Sequence, residues 1–252
     1  NYRSARNENV YISSGELDVF KPTYTFQGFR YIRLTEYPKS EIDLAAFTAI
    51  SVNSEIKRTG KYHTGNANIN QLYHNIIWGQ KGNFLDIPTD CPQRDERMGW
   101  TGDAEVFCKT ATYNYDVEKF FDKWLSDLIL DQGEDGDMPT IIPQYWSTEW
   151  PRAAWGDAAT VCPWQIYMTY GNKSILRRQF NSMHKYVDYI TNHTKDRYLW
   201  TGFDHFGDWL GIDAPAGSYK GASDTDYIAS VFYAYSTSLV VKAGKVLGRN
   251  VD

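Results

Sequence analysis

Cysteine is scarce in this 252-residue sequence: only Cys91, Cys108 and Cys162 occur. An odd, widely spaced set is no disulfide framework, and no C-x-x-C pair offers a metal knuckle, so buried thiols are expected. The five histidines lack metal-ligand spacing, and neither a metal nor another cofactor is expected. Long apolar runs are missing too: none approaches the roughly 20 residues of a membrane helix. An excess of positive charge is also absent. The net charge of -5 gives no electrostatic reason to expect nucleic acid or an anionic membrane as partner. Low-complexity tracts and the composition of disordered chains are likewise absent. The sequence opens on Asn1 rather than a start methionine, and it stops soon after a strong helical pattern. It is therefore expected to be part of a longer chain, and it assigns no cellular compartment.

What the sequence has in plenty is aromatic side chains, at 16%, with 9 Trp and 19 Tyr. Part of that load must serve a core. The remainder suits a carbohydrate site, where indole and phenol faces pack against the C–H faces of sugar rings and offer a polar handle.

Two periods divide the chain. Residues 1 to about 58 read as β structure. Tyr24 to Leu34 alternates and is rich in aromatic and β-branched residues, and a second run covers 46–52. So few strands suggest one end of a β-sandwich. From residue 66 the period becomes helical. Ile69, Leu72, Tyr73, Ile76 and Ile77 share one face, as do Val117, Phe120, Phe121, Trp124, Leu125, Leu128 and Ile129. A third face runs from Ile175 to Ile190. A fourth runs from Ile228 to Leu247 and closes at Gly248, a natural C-cap. Weaker patterns cover about 102–115 and 157–170, the latter ending at Gly171. About six helices result, joined by long loops at about 82–101, 131–156 and 194–224. Loops of that length are often functional. With no parallel-strand pattern between the helices, the expected class is mainly α, and paired helices with long loops suggest an α/α toroid.

The chemistry is concentrated between Asp86 and Asp103. This stretch holds five carboxylates (Asp86, Asp90, Asp95, Glu96, Asp103) and two arginines (Arg94, Arg97). Pro88 and Pro92 stiffen it and oppose helix. Gly99 and Gly102 permit tight turns before the next helix. A rigid loop crowded with charge can set pKa values apart through burial and neighbours. A merely solvated loop would need neither Trp100 nor this Pro/Gly scaffold.

The string DCPQRDERMGWTGD at 90–103 resembles the signature of bacterial α-L-rhamnosidases of glycoside hydrolase family 78. NIIWGQKGNFLDIPT before it, and AAWGDAATVCPW and HFGDWL after it, are similar to further blocks of that family in the same order. FQGFRYIRL looks like the end of the β-domain that precedes the family's catalytic domain. The resemblance implies an accessory β-sandwich ending within 1–60. Residues 61–252 would then be the first half of an (α/α)6 barrel, which needs twelve helices.

It also implies an inverting mechanism, in which one carboxylic acid protonates the leaving oxygen while a second carboxylate activates water from the opposite face. Glu96 matches the family's general acid, the Glu of its DERxGW string. Burial and nearby carboxylates would keep it protonated, whereas Arg94 and Arg97 would oppose that. Asp90, Arg94 and Asp103 match positions that hold the rhamnose hydroxyls. Trp100 and Trp155 match aromatic positions that line the sugar site, and Trp209 resembles another. The family's general base lies in the second half of the barrel, so the remainder of the chain is expected to supply it. Another carboxylate here, such as Glu149, could be put forward, but the resemblance does not support it. The partner implied is a rhamnose-containing glycoside or oligosaccharide. Alternatives are another α/α-barrel exo-glycosidase, a polysaccharide lyase, and a non-catalytic carbohydrate-binding protein. The motif loop lacks the Tyr or His base expected of a lyase, and the presence of Glu96 counts against pure binding. Asp157 and Asp208, each beside glycine, read as turn or cap residues. His205 is left open between structure and function.

Overall fold

The computed structural model describes residues 3–145 and 151–250. Six helices make up its body: α1 (Ala67–Asn83), α2 (Thr101–Asn114), α3 (Glu118–Asp131), α4 (Ala158–Tyr170), α5 (Lys173–His193) and α6 (Thr225–Leu247). All six match the helical periods of the sequence, and they are half the number that the resemblance implies. A two-residue ladder, β1 (Phe84–Leu85) with β2 (Ile87–Pro88), turns over Asp86, whose φ is 68°.

Local signals set the helix ends. The Asn66 side chain accepts from the backbone N–H of Asn68 at 2.9 Å, and that of Asp224 accepts from Tyr227 N at 2.7 Å, so both satisfy orphan donors at an N-terminus. α4 stops at Gly171 in the left-handed region (φ 70°), and Asn172 at once caps α5 through Ser174 N at 3.0 Å. A glycine that ends one helix beside an asparagine that starts the next makes a tight hairpin between them.

The packing is layered. α4 touches α2, α3, α5 and α6, α5 packs along α6, and α3 also meets α5. α2, α4 and α6 therefore stand in one row, and α3 and α5 in a second beside it. This is one arc of an α/α toroid. α4 is buried along most of its length, as a helix covered on both sides must be. The core carries a run of rings: Phe84 stacks on Phe120 at 4.5 Å, and Phe121 meets Trp124 edge-on at 6.0 Å. The indole N–H of Trp124 donates to Ile142 O at 3.1 Å, which satisfies a fully buried polar group. All three cysteines are free and buried, as expected.

The amino-terminal segment differs from its sequence pattern. Among the described residues, 3–58 form no strand ladder; they hold only a short 3-10 turn at Leu44–Ala46 and a single bridge from Arg58 to Tyr115. Val10, Tyr24, Tyr31 and Ile32 are exposed. The physical reason is that a strand satisfies its backbone only against another strand, and the alternating runs find no partner among these residues. The segment still touches the body near the charged loop: Arg97 Nη1 donates to Phe26 O at 2.7 Å and Ser54 N donates to Phe84 O at 3.0 Å.

Candidate active site

The loop between β2 and α2 is stitched at both ends. Asp90 N donates to Met98 O at 3.0 Å, and the Asp90 carboxylate accepts from Met98 N at 2.9 Å. Further on, Ile142 N donates to Gly99 O (2.9 Å), and Thr101 binds Thr140 O through both its N–H (2.9 Å) and its hydroxyl (3.0 Å). Position 99 requires glycine, because an added Cβ would lie 2.0 Å from Ile142 O. The loop therefore delivers its carboxylates from a fixed backbone rather than from a floppy tip.

Four charges meet at its centre. Arg94 Nε donates to Glu96 at 2.9 Å and Arg94 Nη2 to Asp90 at 3.3 Å, while Arg3 reaches Glu96 at 2.8 Å. The other expected arginine neighbour is elsewhere. Arg97 turns away and lies over the Phe26 ring at 4.8 Å, so Arg3 takes the place that the sequence assigned to Arg97. The Asp90 and Glu96 side chains are only 5% and 17% exposed, so these pairs are screened less than surface pairs.

A cavity of about 800 Å³ opens beside this cluster. Its wall contains Asp90, Asp103, Trp155 and Trp209 from the sequence-based set, with Glu105 and Asp208. Arg94, Glu96 and Trp100 are not in that wall. The first two adjoin it through Asp90, and Trp100 stands at the N-cap of α2 with its backbone bridged to Ile141. A smaller cavity of about 370 Å³, between residues 53–58 and α1, holds none of the expected site residues.

Asp103 sits in the first turn of α2, solvent-accessible at the cavity. Partial burial, then the charge of Asp90, pushes its carboxyl up to about 6. Arg94 opposes this without cancelling it. Asp157, fully buried at the head of α4, is also pushed up to about 6 by burial, against the hydrogen bonds it accepts from Ser236 and from Ala154 N (2.8 Å). It ties the turn before α4 to α6, which is the structural role expected of it. Asp208 holds its own loop together, its carbonyl accepting from Gly221 N at 2.8 Å.

Part of the cavity wall is aromatic, backed by further rings. Trp155 meets Phe206 at 4.7 Å and Trp209 at 6.5 Å, both edge-on, and Trp209 leans on Tyr219 at 5.2 Å. Trp155 is 9% exposed and Trp209 41%, so one is a fixed wall and the other an open face. Gly102 lets the carboxylate side close on the aromatic side, since a Cβ there would stand 2.6 Å from the Trp155 ring. His205 anchors this wall. Its Nδ1 accepts from Ala153 N at 3.1 Å, and burial lowers its pKa to about 4, so the ring is neutral and acts as a structural acceptor.

Sequence reasoning passed over Glu105, Phe206 and Tyr219. The signal for Glu105 was present: it shares with Cys108 and Thr112 the i, i+3, i+7 stripe of α2, where a carboxyl is out of place. Glu149 lies outside the described residues.

Residues 57–252 match the bacterial alpha-L-rhamnosidase 6 hairpin glycosidase domain, and residues 1–53 match the bacterial alpha-L-rhamnosidase concanavalin-like domain. An alpha-L-rhamnosidase of Formosa agariphila is 38% identical over the whole chain, which covers 27% of that protein. One from an Alteromonas species is 37% identical, with 28% of its length covered. Among solved structures, the Streptomyces avermitilis alpha-L-rhamnosidase complexed with L-rhamnose aligns with 79% of this chain and 18% of its own. Its TM-score is 0.73 at 36% identity. The Aspergillus terreus enzyme aligns at a TM-score of 0.73 and 35% identity, covering 78% of this chain and 23% of its own. The chain thus spans about a quarter of the length of the relatives it matches. With its helical arc, its charged loop and its matched length in agreement, the chain belongs to the bacterial alpha-L-rhamnosidase family of six-hairpin glycosidases.

Proposed function

We propose that the complete protein removes terminal α-L-rhamnose from glycosides or oligosaccharides by an inverting acid/base mechanism. The observation that carries this reading is the cavity that sets Asp90 and Asp103 against Trp155 and Trp209, in a chain of this family. Carboxylates suit the vicinal hydroxyls of a sugar because each can accept two hydrogen bonds. Indole faces suit the methyl group of a 6-deoxy sugar. Arg94, paired with both Asp90 and Glu96, holds these carboxylates in register and can donate to a ring hydroxyl. Trp100 supports the loop beside the sugar.

In the reaction, Glu96 gives its proton to the glycosidic oxygen as the bond to the anomeric carbon breaks. Water attacks that carbon from the other face and loses its proton to a second carboxylate, which in such enzymes stands roughly 6.5–9.5 Å from the acid. That base is assigned to no residue of these 252 and belongs, on this reading, to the rest of the barrel. Residues 1–60 are read as the end of the accessory β-domain and residues 61–252 as the first half of the catalytic barrel.

The test is a panel of p-nitrophenyl glycosides offered to the complete natural protein. Turnover of the α-L-rhamnoside, with none of the α-L-fucoside, α-D-mannoside or β-D-glucoside, is the expected result. Selective turnover of another sugar would overturn the substrate, and binding without turnover would overturn the reaction.

A further inference from the structure

The proposed chemistry makes no use of Glu105. This residue lies two positions past Asp103 on α2 and forms part of the same cavity wall as Asp90, Asp103 and Trp155. It is 9% exposed, and its Oε2 is buried with no hydrogen-bond partner in the protein. Native folds rarely leave a buried carboxyl oxygen unmatched, because that forfeits its hydration for nothing. The surrounding stripe of α2, with Ala104 and Cys108, would take an apolar side chain at lower cost. An unmatched polar group in a cavity wall is what a site presents when a ligand brings the missing partner.

We infer that Glu105 is a further sugar-contacting residue, whose carboxyl donates its O–H to a hydroxyl of the rhamnose in the cavity. This rests on the rhamnosidase reading above. The carboxylates of Asp90 and Asp103 can only accept, and a ring hydroxyl that donates to them has its oxygen free to accept from a neutral acid. Electrostatics supports the neutral form: burial first, then the charge of Asp157, raise the Glu105 carboxyl well above the usual range. In the cavity wall Glu105 would recognise the same kind of ligand as its neighbours while supplying the opposite hydrogen-bonding sense.

Two variants of the complete natural protein test this. Glu105→Met removes the polar group at similar volume. It should raise the melting temperature, because an unmatched carboxyl is gone, and raise KM for p-nitrophenyl α-L-rhamnoside roughly tenfold or more, with a smaller change in kcat. Glu105→Gln, which retains a donor, should recover most of that loss. Infrared difference spectra provide a readout that does not depend on the Met variant folding. Adding L-rhamnose to the wild type should shift the C=O stretch of a protonated carboxyl, and the shift should be absent in Glu105→Gln. A Met variant with unchanged KM, or a wild-type carboxyl band that ignores L-rhamnose, overturns the inference alone, provided the wild type still cleaves the rhamnoside. A wild type that neither binds nor cleaves overturns the underlying reading, and this inference with it.

Discussion

The two walls of the cavity are built by opposite means. The carboxylate wall comes from one continuous stretch: Asp90 is fixed by Met98 eight residues later, and the loop runs directly into Asp103 on α2. The aromatic wall is assembled from distant pieces: Trp155 before α4 and Trp209 in the loop before α6, backed by Phe206 and Tyr219. The first is held by hydrogen bonds and ion pairs within a local loop, the second by ring contacts and by one buried histidine. A local wall can be read from a motif, whereas an assembled one depends on the fold being right.

If the two walls do different work, damage to them should show in different observables. The largest effect is expected on the charged side. Glu96→Gln should lower turnover of natural glycosides by roughly 10²–10⁴-fold, since an alkoxide leaving group needs its proton. The loss should shrink on activated aryl glycosides, and equal losses on both would assign Glu96 another role. Next comes Trp155→Ala, a large-to-small change at a buried ring, expected to cost about 3–5 kcal/mol of stability in denaturant titrations. A loss of activity without that loss of stability would make Trp155 a contact rather than a wall.

Asp157, beneath the aromatic side, gives a pH-dependent test. Its folded pKa of about 6 exceeds the ordinary 3.8, so the folded state binds the proton more tightly than the unfolded chain. Its contribution is therefore most favourable at low pH and is lost as pH rises through about 6, by on the order of 3 kcal/mol. His205 has the opposite slope: its pKa falls to about 4, so stability is lost as pH drops below about 6.5. Asp157→Asn should remove only the first slope. The stability difference between wild type and variant should shift in favour of the wild type on going from neutral pH to about pH 4, and a flat difference would show that Asp157 ionises as freely in the fold as in the unfolded chain. The smallest effect is expected at Trp209, which is exposed. Trp209→Ala should lower stability by about 0.5–1.5 kcal/mol, the scale of the ring contacts it loses, while raising KM several-fold. An equal fall in kcat would place it closer to the reacting bond than its open position suggests.

The helices were legible because a helix satisfies its backbone within itself. The stripe Phe120, Phe121, Trp124, Leu125 and Leu128 announces α3 without knowledge of any neighbour, and all five are buried. The alternation from Tyr24 to Leu34 announces a strand equally clearly, but a strand is completed only by a partner, and here that stretch joins no ladder and is largely exposed. The same distinction runs through the site. Asp90, Arg94 and Glu96 are joined over four and two positions, and their charge crowding was visible. The pairing of Arg3 with Glu96 was not, nor the turning of Arg97 towards Phe26, because both depend on how the amino-terminal segment lies against the loop. Trp155 and Trp209 were reached through the resemblance alone. Glu105 was overlooked because α2 was read for its apolar residues and not for the charge among them.

Gly102 has a use for protein engineering. Its missing side chain fixes the distance at which α2 stands from the Trp155 indole, so this single position gauges the bore of the cavity. Libraries that vary the conspicuous charged residues would change what the pocket grips at constant width. A methyl group at position 102, itself in the cavity wall, would instead press on the Trp155 ring and shift it, so sugars would be selected by fit rather than by charge.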